Sequence, residues 1–359
     1  MKQTKKTTRK TTRKPAKKKP ASRKVTAPVD APRTYPRPGY VLGLRTSRRH
    51  ADGTIRGCHS VSSDFIWPAL GPVECADWNP KPKCGGGLHF LLWGEGRAEL
   101  LCTDSDCVGQ VVEVAAADMV EVTEDGGGKY KAPRCEVVFT GTLAEAAQWL
   151  ADRAPTHSVH YGTATAGSYG TATAGSCGTA TAGSCGTATA GSCGTATAGD
   201  SGMATAGYRG TATAGDSGTA TAGDSGTATA GSYGTATAGD SGTATAGDSG
   251  MATAGSYGTA TAGSCGTATA GDSGTATAGS YGTATAGSYG TATAGYRGTA
   301  TAGDSGTATA GDSGTIVVRW WEDAAGRYRL AVGYVGEGGI EAGKPYRWDS
   351  EAGKFAEAK

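Results

Sequence analysis

The sequence predicts a mainly β fold. A β-solenoid of 16-residue coils, two octapeptides each, is expected to follow a small N-terminal α+β domain, with a disordered basic tail at one end and a C-terminal β cap at the other. Three observations carry this reading. Residues 162–313 are 19 unbroken octapeptides reading GTATAG followed by two variable residues, with Met for the first Thr at Met203 and Met251, and self-similarity at a fixed period marks a repeat architecture. Inside each octad Thr and Ala alternate, the period-2 signature of a strand with one wet and one dry face. Outside the repeat, only residues 40–154 hold apolar sequence able to build an ordinary core. The expected divisions are therefore 1–39 (tail and linker), 40–154 (α+β domain), 162–313 (solenoid) and 314–359 (cap).

The tail comes first. Twelve of the chain's 34 Lys and Arg residues lie in residues 1–24, which contain no acid. The other 335 residues then carry 22 basic against 32 acidic groups, a net charge of −10. So polar a segment cannot bury enough surface to fold alone. Its composition resembles the basic tails of DNA-associated bacterial proteins and histones. Lys5, Lys6, Arg9, Lys10, Arg13, Lys14, Lys17, Lys18, Lys19, Arg23 and Lys24 are the candidate contacts to nucleic acid or another polyanion. Binding of that kind works by counterion release and is not sequence-specific. The competing reading is a solubilising tail that meets the acidic remainder of its own chain. Residues 25–39, with Pro28, Pro32, Pro36 and Pro38, read as a stiff linker. No apolar h-region and no 18-residue apolar run is found, so neither a secretory leader nor a membrane span is expected. The location that follows is cytoplasmic, with surface export by an unrecognised route as the alternative.

In residues 40–154 short apolar runs predict strands at 40–44, 89–93, 111–115, 119–122 and 135–140. The clearest helix is 143–153, with Leu143, Ala146, Ala147 and Leu150 on one face. The segment Cys84–His89 (CGGGLH) and the strand that starts at Val111 resemble uncharacterised bacterial domains, which implies a fold but no activity. GGGLHFLLWGEG, residues 85–96, resembles the glycine-rich segment of ADP-ribosyltransferases, and Glu113 is the acidic residue such a reading would use. With no second diagnostic element, Gly85–Gly87 read better as a turn and His89 as a core or edge histidine. No catalysis and no cofactor is expected. Six cysteines (58, 75, 84, 102, 107, 135) fall in this domain and four (177, 185, 193, 265) in the repeat. The spacings 75-x8-84 and 102-x4-107 are not those of a structural zinc site. Cys58, His59 and His89 could complete a metal shell, but reduced, buried thiols are the default expectation. Cys177 and Cys193, 16 residues apart, should stack in adjacent coils.

The repeat itself is a poor helix, since each octad holds two Gly and two Thr. One extended octad spans roughly 26 Å, too little to close a coil, whereas two make a plausible coil of two strands and two turns. Paired glycines, as in Gly167-Ser168-Tyr169-Gly170, are expected to supply the permissive turn dihedrals. The interior would hold only Ala and Gly, so stability must come from backbone ladders and stacking between neighbours. Disorder is the alternative for so Gly-rich a sequence. The exact register and the Thr/Ala alternation oppose it.

TATAG, as in Thr163–Gly167, and TAGYRGT, at 205–211 and 293–299, resemble the octads of bacterial ice nucleation proteins, which read AGYGSTxT and pair into 16-residue coils. The resemblance covers the repeat only, and Tyr here usually sits one position later than in that family. It implies a Thr-x-Thr solenoid that meets ice or ordered water. A physical argument runs parallel to it. On a flat strand the two Thr stand about 6.7 Å apart and recur about every 4.8 Å up the stack, a lattice of hydroxyls and methyls able to order water. Similar Thr ladders occur in β-solenoid antifreeze proteins. Both replacements of the first Thr, Met203 and Met251, fall in even-numbered octads. The expected ice-binding residues are therefore those of the odd octads: Thr163, Thr165, Thr179, Thr181, Thr195, Thr197, Thr211, Thr213, Thr227, Thr229, Thr243, Thr245, Thr259, Thr261, Thr275, Thr277, Thr291, Thr293, Thr307 and Thr309. The bland reading is that Thr serves β-propensity and solubility alone.

At the C-terminus IVVRWW (316–321) and RYRLAVGYV (327–335) predict a hairpin, followed by a second short strand pair. Bulky residues arrive where the Ala core ends, which suits a cap over an edge that would otherwise invite self-association. Trp320, Trp321 and Trp348 could instead form a carbohydrate-binding surface. Two functions compete for the whole chain: a water-ordering solenoid, or a structural spacer with an anchoring tail.

Overall fold

A computed structural model describes residues 34–57, 65–124, 126–154 and 157–358. The tail candidates Lys5 to Lys24, together with Cys58 and His59, lie outside the described residues.

The N-terminal part is a nine-stranded sheet carrying one helix. Its strands are β1 (Tyr40–Arg49), β2 (Ile55–Gly57), β3 (Ile66–Trp67), β4 (Gly71–Glu74), β5 (Leu88–Leu92), β6 (Cys107–Ala115), β7 (Val120–Glu121), β8 (Tyr130–Ala132) and β9 (Arg134–Gly141). The order is β4-β9-β6-β1-β5-β8-β7, with β2 and β3 continuing from β1. β1 and β6, antiparallel over nine residue pairs, are the spine. One face packs Leu42, Leu44, Leu91 and Val111 against Ala146, Ala147 and Leu150 of α1 (Leu143–Ala151). The other buries Trp67, Phe90, Val112, Val114 and Val137. Helix α1 begins where a capping box satisfies its first amides. Thr142 accepts the Glu145 N–H, and the Glu145 carboxylate accepts the Thr142 N–H at 2.8 Å. Residues 35–39, read from sequence as linker, lie on this domain. Arg37 donates from its backbone N–H and Nε to the fully buried Glu113, and the Tyr35 ring packs 5.5 Å from Trp149.

The repeat forms 19 four-residue strands, β10 (Thr163–Ala166) through β28 (Thr307–Ala310), one per octad. Odd and even octads separate into two parallel sheets whose strands pair 16 residues apart, Thr163 with Thr179 and Thr171 with Thr187. Two octads per coil is therefore the architecture. The Ala side chains of both sheets point inward, and from the second strand onward they are 0–4% exposed. Each buried methyl contributes on the order of 0.8 kcal/mol. So thin a core relies on its ladders, such as Thr179 N–H to the Gly162 carbonyl at 3.0 Å.

The turns overturn one expectation. The repeat's glycines are not the left-handed residues. The eighth residue of every octad, whether Tyr, Cys, Ser or Arg, takes φ between +52° and +60°. Gly194 N–H closes the turn on the Gly191 carbonyl at 3.1 Å, and a left-handed residue just before the closing one is the type II pattern. The glycines are needed for space. A Cβ on Gly194 would sit 2.9 Å from the Ala190 Cβ, and one on Gly199 would sit 2.8 Å from the Ser184 nitrogen.

The cap continues both sheets. β29 (Thr315–Glu322) pairs in parallel with β27 (Thr299–Ala302) and forms a hairpin with β30 (Arg327–Tyr334). β31 (Tyr346–Asp349) joins β28 through Tyr346 and pairs with β32 (Lys354–Glu357). Ile316, Val318, Ile340 and Tyr346 extend the Ala core and fill its end. Trp320 and Trp348 pack on each other at 5.9 Å, and Phe355 stands at 5.3 Å from Trp348. Trp348 thus joins the cap's core, and Trp321 is exposed.

Candidate functional site

The repeat presents two Thr-faced sheets, and they are not equivalent. In the odd-octad sheet every strand from β10 to β28 contributes an in-register Thr-x-Thr pair, ten in succession from Thr163/Thr165 to Thr307/Thr309. In the even-octad sheet Met203 and Met251 interrupt the array, each 53% exposed. Parallel, in-register pairing fixes the lattice at about 4.8 Å between strands and about 6.7 Å along each strand. The Thr side chains point away from the Ala core because residues two apart share a face.

Hydrogen-bonded ladders hold the flanks of these faces. The eighth residue of an octad donates its N–H to the seventh residue's carbonyl one coil on, as Cys177 does to Ser192 at 2.8 Å. Where the seventh residue is Asp with a repeat coil after it, its Oδ1 accepts the N–H 16 residues later. Asp200 pairs this way with Asp216, Asp216 with Ser232, Asp240 with Ser256 and Asp272 with Ser288, at 2.7–3.1 Å. Tyr side chains stand out from the turns, Tyr169 being 83% exposed. They form one ring contact, Tyr281 to Tyr296 at 5.6 Å, rather than a continuous stack.

The other candidates find structural employment. Gly85, Gly86 and Gly87 all have positive φ and make the expected turn, and the carbonyls of Lys83 and Gly85 hold the Nζ of the fully buried Lys131 at 2.7 and 2.9 Å. His89 lies across from Lys131 on β5. Burial, helped by the charges of Lys129, Lys131 and Arg45, pulls its pKa down to about 4 and keeps the imidazole neutral. Glu113 is consumed by Arg37. Burial pushes the Cys135 thiol up to about 12, so it behaves as an inert core residue. Fully reduced thiols are the expectation, and here the structure differs: Cys102 and Cys107 are joined by a disulfide across Thr103–Asp106. Among the described residues Cys102, Asp104 and Cys107 are the one group at metal-ligand spacing, and both of its sulfurs are in that bond. Cys84, Cys177, Cys185, Cys193 and Cys265 are exposed.

These features define a class: a capped β-solenoid with a regular, solvent-facing threonine lattice. Comparison with known proteins narrows it. Over 106 residues, 29% of this chain, the sequence is 35% identical to an ice nucleation protein of Pseudomonas fluorescens and 36% identical to one of Xanthomonas campestris pv. translucens. Over 102 residues it is 36% identical to one of Pseudomonas syringae. The matched stretch spans less than a tenth of each relative, 9%, 7% and 8% respectively. No family model matches the chain, and no solved structure does.

This kinship corrects one expectation. A cytoplasmic location, inferred from the absence of a leader and of an apolar span, does not stand beside relatives that are bacterial ice nucleation proteins. No described helix is long and apolar enough to cross a membrane, and that absence assigns no compartment.

Proposed function

We propose that this protein binds ice and orders water through its odd-octad threonine face, as an ice-nucleation-like solenoid. The observation that carries the reading is the run of ten uninterrupted, in-register Thr-x-Thr pairs on one sheet, against two Met gaps among nine strands on the other. A surface that organises water must repeat without defects, since each interruption breaks the hydroxyl–methyl lattice. A spacer has no such need, and its two faces would tolerate Met equally. The similarity to ice nucleation proteins supports the same reading.

The test uses the full chain in ice-shaping, thermal-hysteresis and droplet-freezing measurements. Two lysines on the odd face, Thr211→Lys with Thr227→Lys, should abolish crystal faceting and hysteresis. The matched even-face pair, Thr219→Lys with Thr235→Lys, should leave most of the activity. Smooth ice discs and buffer-like freezing from a wild-type sample that circular dichroism shows to be β-rich would sink the proposal and leave the solenoid as a scaffold.

A further inference from the structure

The first coil of a solenoid leaves backbone groups on its outer edge that a preceding coil would have satisfied. In this protein several of those groups find partners outside the repeat, at Thr163 and at Ser176. Gln148 of α1 lays its side-chain amide along β10. Its Oε1 accepts the Thr163 N–H at 3.2 Å, and its Nε2 donates to the Thr163 carbonyl at 3.4 Å. Asp152 Oδ1, 2.7 Å from the same Nε2, orients the amide. One amide thus supplies the donor and the acceptor that a neighbouring strand would offer.

On the even side, His160 and Tyr161 occupy the places of the seventh and eighth residues of an octad that the repeat does not contain. Tyr161 is left-handed at φ +59°, and its N–H donates to the Ser176 carbonyl at 3.1 Å, the same bond Cys177 makes to Ser192. His160 does what the ladder Asp residues do: its Nδ1 accepts the Ser176 N–H at 3.0 Å. Its Nε2 lies 2.9 Å from the Gly96 carbonyl, which can only accept. Both partners are backbone groups of fixed role, so the neutral ring with its hydrogen on Nε2 is the one that fits.

A built socket holds this imitation half-coil. The Gly94 carbonyl accepts the His160 N–H at 3.1 Å, and Glu95 Oε1 accepts the Ser158 N–H at 2.8 Å. The His157 ring lies flat on Trp93 at 4.6 Å. Gly94 must be glycine, since its φ is +69° and a Cβ there would stand 2.9 Å from Val159 Cγ1. The WGEG end of the glycine-rich segment, which from sequence suggested an ADP-ribosyltransferase-like site, is this socket.

We propose that the N-terminal α+β domain is the solenoid's N-terminal cap, with Gln148 and His160 standing in for a missing coil. This assigns a task to residues 35–154 independently of ice binding. Hydrogen–deuterium exchange on the full chain tests it. In Gln148→Leu and His160→Ala the Thr163 and Ser176 amides, respectively, should exchange at least tenfold faster. The effect should fade by the third coil and leave residues 242–273 unchanged. His160→Asn, which keeps an acceptor for Ser176, should restore most of that amide's protection. If the alanine variant fails to accumulate, Gln148→Leu alone still reads the edge, because it removes the acceptor of the Thr163 N–H. Unchanged exchange at Thr163 and Ser176 in the Gln148→Leu/His160→Ala double variant, or equal loss in every coil, would overturn the proposal. Exchange needs no ice, so the result stands apart from the fate of the ice-binding reading.

Discussion

Single residues in this protein are often held in states that their chemistry opposes, and the surroundings explain why. Left-handed backbone costs an L-residue about 1–2 kcal/mol, yet Tyr, Cys, Ser and Arg all adopt it at the eighth octad position. The turn demands it, and stacked N–H to carbonyl bonds at 2.7–2.9 Å offset it coil after coil. His89 is a second case. With a native pKa of about 4 against the ordinary 6.5, the unfolded chain takes up this proton at higher pH than the folded one. The stability that the neutral ring contributes is complete above about pH 6.5 and is lost as pH falls toward 4, a swing of up to roughly 3 kcal/mol. Urea midpoints of the full chain, followed by Trp fluorescence, should therefore fall across that window, and His89→Leu should flatten the slope. An identical slope in the variant would refute the assignment. From the sequence His89 read correctly as a core or edge histidine. Its low pKa was not legible, since Lys129 and Lys131 meet it only through the pairing of β5 with β8.

At the scale of the element, the octad strand is four residues long and buries two methyls, far below what an isolated strand needs. Ladders supply the difference, and the Asp ladder is one that can be removed singly. Asp240→Ala leaves the Ser256 N–H without its 2.8 Å acceptor and should cost about 0.5–1 kcal/mol locally. Asp240→Asn keeps an oxygen in place and should cost little. Native-state exchange at Ser256 distinguishes the two, and equal protection in both variants would show the bond to be idle. Strand positions in the repeat were legible because alternation and period agree. In the N-terminal domain β1, β5, β6, β7, β9 and α1 were legible from their apolar runs. β2, β3, β4 and β8 were not: they are two to four residues long, all but β3 carry Gly, Pro or Lys, and each exists because a longer neighbour pairs with it.

At the scale of the whole molecule, the solenoid is a stack whose ends are its weak points, and the two ends are closed by different means. The C-terminal end is packed: Ile316, Val318 and Tyr346 continue the Ala core with larger side chains. Ile316→Ala should cost about 2–5 kcal/mol, because the site is fully buried and cannot collapse around a four-residue strand. Its signature would be earlier protease cleavage within β27 and β28, with the central coils still protected, and uniform cleavage along the array would contradict a cap. The N-terminal end is hydrogen-bonded, through Gln148 and His160. Nothing in the sequence pointed there, since the partners are 15 and 16 residues apart with no shared motif, and Gly96 is 64 residues from His160.

The sequence by itself determined the solenoid, its 16-residue coil, its Ala interior, and the sorting of both Met residues onto one face. All of these follow from period and alternation, which are properties of a linear string. The tertiary structure decided which residue carries the left-handed turn, because close approach between coils takes the glycines for space. It also decided that a glycine-rich loop serves as a socket, since a backbone carbonyl's partner is chosen by where the chain returns, and no local pattern records that.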